Sequence, residues 1–467
     1  MKSAILLHRT WASWLATILG THVLLLAGPA GALGATPPLP QAVAEALSKQ
    51  QAETTSSINM LWVIIAAALV FFMQAGFLGV EVGGVRTKNV LITAMKNCGD
   101  WMVVSLLFFV AGFGVMFGPS VGGLFGFGNF ASNVPADGAG GLGWTFALYQ
   151  VAFAGTAATI VSGSMAERTK FVAYLLFAMA MGSFIYPVFG HWAWGNLFHT
   201  DAKPLLASMG YIDFAGSSVV HLTGAVASLV GVKLVGPRLG LYRSDGTRQR
   251  MDPSGLAWSC LGTFILWFGW WGFNGGSTLA LNASVAEIIV NTNLAGAAGG
   301  VGAFLHARFF SKGNIVEKTL GGALGGLVAI TANCHVVSPW AAIAIGLIAA
   351  VLHNLSYQFI LVRLKLDDVI GAIPVHGVCG VWGVLAVALF GKAELLAKPF
   401  WQQLGVQAFG IVLCVTWVGS MSLAVFWLLK VTVGLRVSAM KEIQGLAAYE
   451  AADDEPASSA SKTSAAA

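Results

Sequence analysis

Charge is what this sequence has least of. Asp, Glu, Lys and Arg together supply 10% of its 467 residues, where a soluble domain carries about 25%. A surface that faces water on all sides cannot be built from that stock, so an ordinary soluble domain is excluded. Cysteine is sparse too. Cys98, Cys260, Cys334, Cys379 and Cys414 stand singly, within or beside apolar spans, and none forms a CxxC pair. That spacing argues against a metal centre and against a disulfide framework. There is no Gly-rich phosphate loop, metal-ligand cluster or nucleophile motif. No cofactor, no bound metal and no enzyme chemistry are therefore expected. The stretch "GLFGFGNF" has the glycines of a phosphate loop without the context, because it follows an apolar helix on the side assigned below to the exterior. The net charge of +5 does not call for a nucleic-acid partner. In a membrane protein, Lys and Arg gather in the cytoplasmic loops.

Apolar sequence is abundant: 57% of the chain is hydrophobic, in long continuous runs. The lipid bilayer is thus the expected surroundings. The 58 glycines suit helices that approach closely inside a membrane. The first segment, "MKSAILLHRTWASWLATILGTHVLLLAGPAGALGA", has a basic start, an apolar middle and a small-residue end, as a secretory signal does. Residues 1–35 are read as that signal, and 36–57 as a polar external lead-in. Eleven apolar spans follow near 58–81, 98–118, 144–166, 171–195, 213–236, 255–273, 285–307, 319–338, 340–361, 369–391 and 402–430. Each is near the length a helix needs to cross about 30 Å of hydrocarbon. The membrane domain is therefore set at 58–430 and a cytoplasmic tail at 431–467. The small, polar end "AADDEPASSASKTSAAA" has the composition of a disordered segment.

Alternate loops differ in charge. One set carries Arg86, Lys88 and Lys96, then Arg168 and Lys170, then Arg238 to Arg250, then Arg308, Lys312 and Lys318, then Arg363 and Lys365, then Arg436 and Lys441. The other set has little beyond Lys203, Lys392 and Lys398. The positive-inside rule then puts the mature N-terminus outside and the C-terminus in the cytoplasm, for a multi-pass protein of the inner (plasma) membrane.

Two stretches break the apolar pattern in the same way. "DFAGSSVVH" runs from Asp213 to His221, and "DVIGAIPVH" from Asp368 to His376. By the topology above, the fifth span enters from outside and the tenth from inside. Eight residues of helix advance about 12 Å, and half the hydrocarbon is about 15 Å. Both histidines then reach the middle of the membrane from opposite faces. Spans 1–5 and 6–10 become two halves of opposite orientation, and folds of that kind place the transport site at the midplane. An acid at a helix start is common, because it caps free N–H groups. Capping is accordingly assigned as the main structural role of Asp213 and Asp368. Capping does not account for two imidazoles at mirrored depth. Mid-membrane ionisable residues face a cavity or a partner.

The same segments carry a resemblance. "DFAGSSVVH" and "DDVIGAIPVHGVCGVWG" resemble the two hallmark segments of the ammonium transporter (Amt/Mep/Rh) family. So do "FFMQAGFLGVEVGGVRTKNV", "VSGSMAER", "HWAWG" and "WWGFNGGS", in the right order and spacing, over about residues 58–445. The resemblance implies an all-α fold of eleven transmembrane helices, an inverted five-plus-five repeat plus one helix. It also implies a homotrimer with one apolar pore per subunit, and ammonium or ammonia as the transported species. By position, His221 and His376 match the twin pore histidines, which relay a proton. Phe153 and Phe273 match the stacked pair that closes the pore externally. Trp194 and Ser277 match the external cation site, with Tyr149 near it, and Asp213 matches the acid below that site. Cations attract aromatic faces, and a serine hydroxyl can accept an N–H donor. Trp194 and Ser277 point to the Amt branch rather than the Rh gas-channel branch. Two positions depart from the family pattern. Gly371 stands where many relatives have a further Asp. The family's tail usually reads Gly-Leu-Asp with a later His-Gly; here Gly445 and Leu446 are followed by Ala447, a departure that argues against tail-mediated coupling between subunits and against control by a nitrogen-signalling PII protein. A sensor with the same pore fold, and a passive ammonia channel, are the alternatives to a transporter that moves ammonium as ammonia plus a separately relayed proton.

Overall fold

The computed structural model describes residues 40–131, 133–310 and 314–446. The signal segment 1–35 and the tail from Ala447 onward lie outside the described residues. Ten helices are long and apolar enough to cross a membrane among the described residues. In chain order they are α1 (Gln41–Gly84), α2 (Thr87–Phe117), α3 (Gly143–Ser164), α4 (Phe171–Trp194), α5 (Ser217–Val235), α6 (Leu256–Thr278) and α7 (Ser284–Phe309). After α8 come α9 (Pro339–Arg363), α10 (Ile373–Phe390) and α11 (Phe400–Thr432). The eighth expected span is the shorter α8, Ile315–Ile330, of 16 residues. Its chain leaves the helix at Thr331 because the backbone there pairs elsewhere: Phe214 N–H donates to Ala332 O at 3.1 Å and Ala215 N–H to Thr331 O at 3.0 Å. A short helix α12, Ala439–Gln444, ends the described chain. Among the described residues the fold is all-α apart from one small hairpin between α2 and α3, Ser120–Val121 against Phe125–Gly126, which is where "GLFGFGNF" begins.

Three expectations change. The polar lead-in is helical from Gln41, because its Ala, Gln and Glu residues are good helix formers; residues 41–55 form a separate unit and are exposed. Lys96 and Lys318 are not loop residues; both are buried within helices, at 1% and 0% exposure. Finally, α5 and α10 do not start at their acids. Each begins four to five residues later, so only the last turn before each histidine is helical.

Packing follows the small residues. α1 and α6, the first helices of the two halves, meet backbone to backbone: a Cβ on Gly79 would lie 2.9 Å from Gly262 Cα. α7 meets α8 the same way, where a Cβ on Gly299 would lie 2.3 Å from Gly322 O. Contacts this close are the means by which helices associate where lipid offers no hydrophobic drive.

At the Arg-rich end of the bundle, loops from both halves are tied by charge. Glu167 pairs with Arg86 and, at 2.6 Å, with Arg238. Arg238 also grips Asp367 through Nε at 2.8 Å and Nη2 at 2.9 Å. The tail joins through Glu442, which accepts from Arg436 at 2.7 Å and from Leu239 N–H at 2.6 Å. Burial alone would raise the Asp367 carboxyl, but Arg168 and Arg238 outweigh it and hold it down at about 2, against 3.8 for a free side chain. A depressed carboxyl stabilises the fold above its unfolded value and loses that contribution as pH falls through the folded value. The shift corresponds to about 2 kcal/mol. We predict that Asp367→Asn lowers the melting temperature in detergent at neutral pH. The gap to the unmodified protein should hold down to about pH 4 and narrow towards pH 2. Thermal melts across pH test it; a gap independent of pH down to 2 would contradict the assignment.

Candidate functional site

The acids build the two broken helix starts. Asp213 Oδ1 accepts from Gly216 N–H at 3.0 Å and Ser217 N–H at 2.7 Å. Its Oδ2 accepts from Ser218 N–H at 2.8 Å, Ser218 Oγ at 2.6 Å and Val219 N–H at 2.9 Å. Asp368 repeats the device with Ala372 N–H at 3.0 Å and Ile373 N–H at 2.7 Å. For the carboxylate to reach the N–H groups ahead of it, the chain must turn sharply three residues later. Gly216 (φ 112°) and Gly371 (φ 73°) make that turn in the left-handed region, where a Cβ is costly. Gly371 therefore has its own conformational role, as the counterpart of Gly216. The first turns of both helices are widened: His221 N–H reaches back five residues to Gly216 O at 3.1 Å. Wide turns of this kind recur at functional sites.

These starts bring the histidines together. His376 Nδ1 and His221 Nδ1 lie 3.2 Å apart, with ring centroids 5.1 Å apart and planes at 18°. Two ring nitrogens at that distance share one proton, so the two neutral rings hold complementary tautomers. Both are buried, His221 at 0% and His376 at 5% exposure, and His221 Nε2 has no hydrogen-bond partner among the described residues. Beyond His221 stands Phe273, centroid 5.5 Å away. Phe273 stacks on Phe153 at 4.2 Å with planes at 36°, and both rings are fully buried. Trp194 meets Phe153 edge-on at 6.1 Å, and its Nε1–H donates to Asp213 O at 2.7 Å. Tyr149 packs on Phe153 at 4.7 Å; its hydroxyl donates to Phe273 O at 2.7 Å and lies 3.2 Å from Ser277 Oγ. Ser277 itself is only partly buried.

Six of the residues singled out in the sequence are thus linked in one series, Ser277 and Trp194, then Phe153 and Phe273, then His221 and His376, with Tyr149 joining Ser277 to Phe153. Past the histidines, a cavity of about 310 Å³ is lined by Val375, Ile370, Val80, Tyr357 and Arg248 among others. The remaining described histidines lie outside this series. His191 bonds Met116 O and Ser120 Oγ, His199 meets Asn129, and His353 joins His306 through Asn354. His335 stacks on Phe214 at 4.1 Å, beside Asp213.

Sequence reasoning missed two ring contacts. Trp270 stacks on His221 at 5.1 Å and bonds Thr331 Oγ1 at 2.8 Å. Phe77 stands 6.2 Å from His376. A signal for Phe77 was present: "GFLG" at 76–79 in α1 mirrors "GFNG" at 272–275 in α6. Phe77 is to His376 as Phe273 is to His221.

A multi-pass helical bundle with two broken helix starts whose histidines meet is the architecture of a membrane transporter. The comparisons narrow the class. Residues 61–455 match the Ammonium Transporter Family. The chain is 42% identical over 406 residues to the ammonium transporter Amt2 of Archaeoglobus fulgidus, covering 83% of this chain and 86% of that one. It is 36% identical to ammonium transporter 1 member 3 of Solanum lycopersicum, over 87% and 96% of the two chains. Among solved structures, a protein described as a sensor Amt protein superposes with a TM-score of 0.84 at 42% identity, over 85% of this chain and 99% of that one. Candida albicans Mep2 superposes with a TM-score of 0.73 at 27% identity, over 82% and 86%. The chain belongs to the Ammonium Transporter Family.

Proposed function

We propose that this chain moves ammonium across the inner (plasma) membrane as ammonia plus a separately relayed proton. The observation that carries the reading is the histidine pair, in contact at 3.2 Å directly behind a sealed aromatic pair. Trp194, Ser277 and Tyr149 recruit the cation externally. Asp213 adds negative potential below them. Phe153 and Phe273 close the path to a hydrated ion, and His221 and His376 pass the proton between complementary tautomers. The mature N-terminus lies outside and the C-terminus in the cytoplasm, and the chain works as a homotrimer. The Arg- and Lys-rich loops at the Arg-rich end of the bundle, with Arg86, Arg168, Arg238 and Arg436 among them, support a cytoplasmic location for that end.

One observation favours a second reading: the likeness to a protein described as a sensor Amt protein. A sensor would bind ammonium at the same outer site and conduct little. Uptake of labelled methylammonium by a host lacking its own transporters separates the two. We predict saturable uptake well above the empty-vector control. Binding without uptake would contradict transport and leave the sensor reading.

A further inference from the structure

Off the pore line, α1 and α2 bury two carboxylates in one polar network. Glu81 and Asp100 are both 0% exposed. Glu81 Oε2 accepts from Asn97 Nδ2 at 3.0 Å and from Ser162 Oγ at 3.0 Å. Asp100 Oδ2 accepts from the Tyr174 hydroxyl at 2.5 Å. The other oxygens, Glu81 Oε1, Asp100 Oδ1 and Asn97 Oδ1, have no well-formed hydrogen bond among the described residues, the nearest donors being the backbone at Gly163 for Glu81 and the Trp101 backbone and Thr159 hydroxyl for Asp100. Buried polar atoms are nearly always paired, so three acceptors without a well-formed bond mark a place for something that supplies an O–H or N–H. Charge identifies it. Lys96 is buried beside the network, with Nζ 5.9 Å from the Tyr174 ring centre, and its charge attracts Glu81. Two carboxylates and one ammonium leave one negative charge, which burial makes expensive. One proton on a carboxyl cancels that charge and provides a donor.

The position ties this site to the path. Glu81 is one helical turn beyond Phe77, which faces His376, an advance of about 6 Å. Its neighbours Val80 and Gly84 line the inner cavity together with Ile370 and Val375. Gly163 stands between the carboxyl and that wall: a Cβ there would lie 3.0 Å from Glu81 Cδ and 2.1 Å from Ile370. We propose that Glu81, with Asp100 and Asn97, is a proton-holding site that takes up the proton passed inward from His376; this rests on the relay described above. The step moves one proton and no electrons. The resting site already holds its proton, so that proton first leaves to solvent in the inner cavity; an imidazolium N–H bond then breaks with its electron pair left on nitrogen, and an O–H bond forms on the vacated carboxylate.

The test uses the full-length protein in proteoliposomes. Infrared spectroscopy of the unmodified protein should contain the carbonyl stretch of a protonated carboxyl group that shifts in D2O and is lost in Glu81→Gln or Asp100→Asn. Glu81→Gln keeps the shape and the neutral charge of the protonated form but cannot release the proton. It should lower ammonium-dependent current by about 100-fold, the low end for a positioned proton-transfer group, while Glu81→Asp recovers part of it. Wild-type current in a correctly assembled Glu81→Gln protein overturns the proposal, as does absence of the carboxyl band from the unmodified protein. If the unmodified protein carries no ammonium current, the transport reading falls first, and the infrared band alone decides whether the site holds a proton.

Discussion

Asp213→Ala should abolish ammonium uptake. The carboxylate accepts four backbone N–H groups and one hydroxyl at the start of α5. Removing it strands those donors in a buried site, and each buried donor left unpaired costs about 1–3 kcal/mol. The turn at Gly216 then loses its anchor, and His221, five residues on, loses its register against His376. The Trp194 indole, held on the Asp213 carbonyl at 2.7 Å, moves with it. A loss of about 3 kcal/mol in the outer site alone corresponds to about a 100-fold fall in uptake at low substrate. Asp213→Asn separates the roles. It keeps one acceptor oxygen and removes the charge, so it should assemble as a folded protein yet take up ammonium poorly at low concentration. A variant of either kind that assembles normally and matches the unmodified protein at low substrate would contradict the account.

His376→Asp should turn a selective path into a leaky one. Potassium and ammonium have similar size and the same charge, so a sieve separates them badly. They differ in that ammonium can donate directed hydrogen bonds and can lose its proton. A path walled by Phe153, Phe273, Phe77 and Trp270 makes a bare cation expensive, because isolated charge in a low-dielectric medium costs many kcal/mol. Ammonia avoids that cost once the proton leaves it, and potassium has no equivalent step. A fixed carboxylate at position 376 would offset part of the cost for any cation. An offset of about 3 kcal/mol, the low end for a buried charge gaining a partner, raises flux about 100-fold. Potassium current in the variant should therefore rise about 100-fold, clear of the protein-free background. A variant as selective as the unmodified protein would show that the imidazole is not what excludes potassium.

The helices were legible in sequence because the bilayer demands long apolar runs, and the mirrored Asp–His spacing exposed the two central helix starts. Less legible was how those starts are made. Eight residues of continuous helix from Asp213 would have been ordinary, yet the chain turns at Gly216 and the helix begins at Ser217. Gly216 permits this turn, but a lone glycine does not announce it; the partner that holds the extended segment is Thr331–Ala332, more than a hundred residues away. The same partnership explains why α8 stops short. Lys96 looked like a loop charge because Lys is read by polarity alone. Its burial depends on Tyr174 and Glu81, which lie in other helices. The outer aromatic set was found through the family resemblance and not through periodicity, since Phe153 and Trp194 sit in helices that are apolar on every side. Phe77 could have been found from the repeated "GFLG" and "GFNG", had the two halves been aligned against each other.

The central claim is that the path filters by removing a proton. Current recorded from proteoliposomes holding the unmodified protein, with ammonium and then potassium added at equal concentration, tests it most directly. The account predicts a clear ammonium-dependent current and a potassium response no larger than that of protein-free liposomes. A substantial potassium current through the unmodified protein would contradict it, and would mean that His221 and His376 serve some purpose other than relaying a proton.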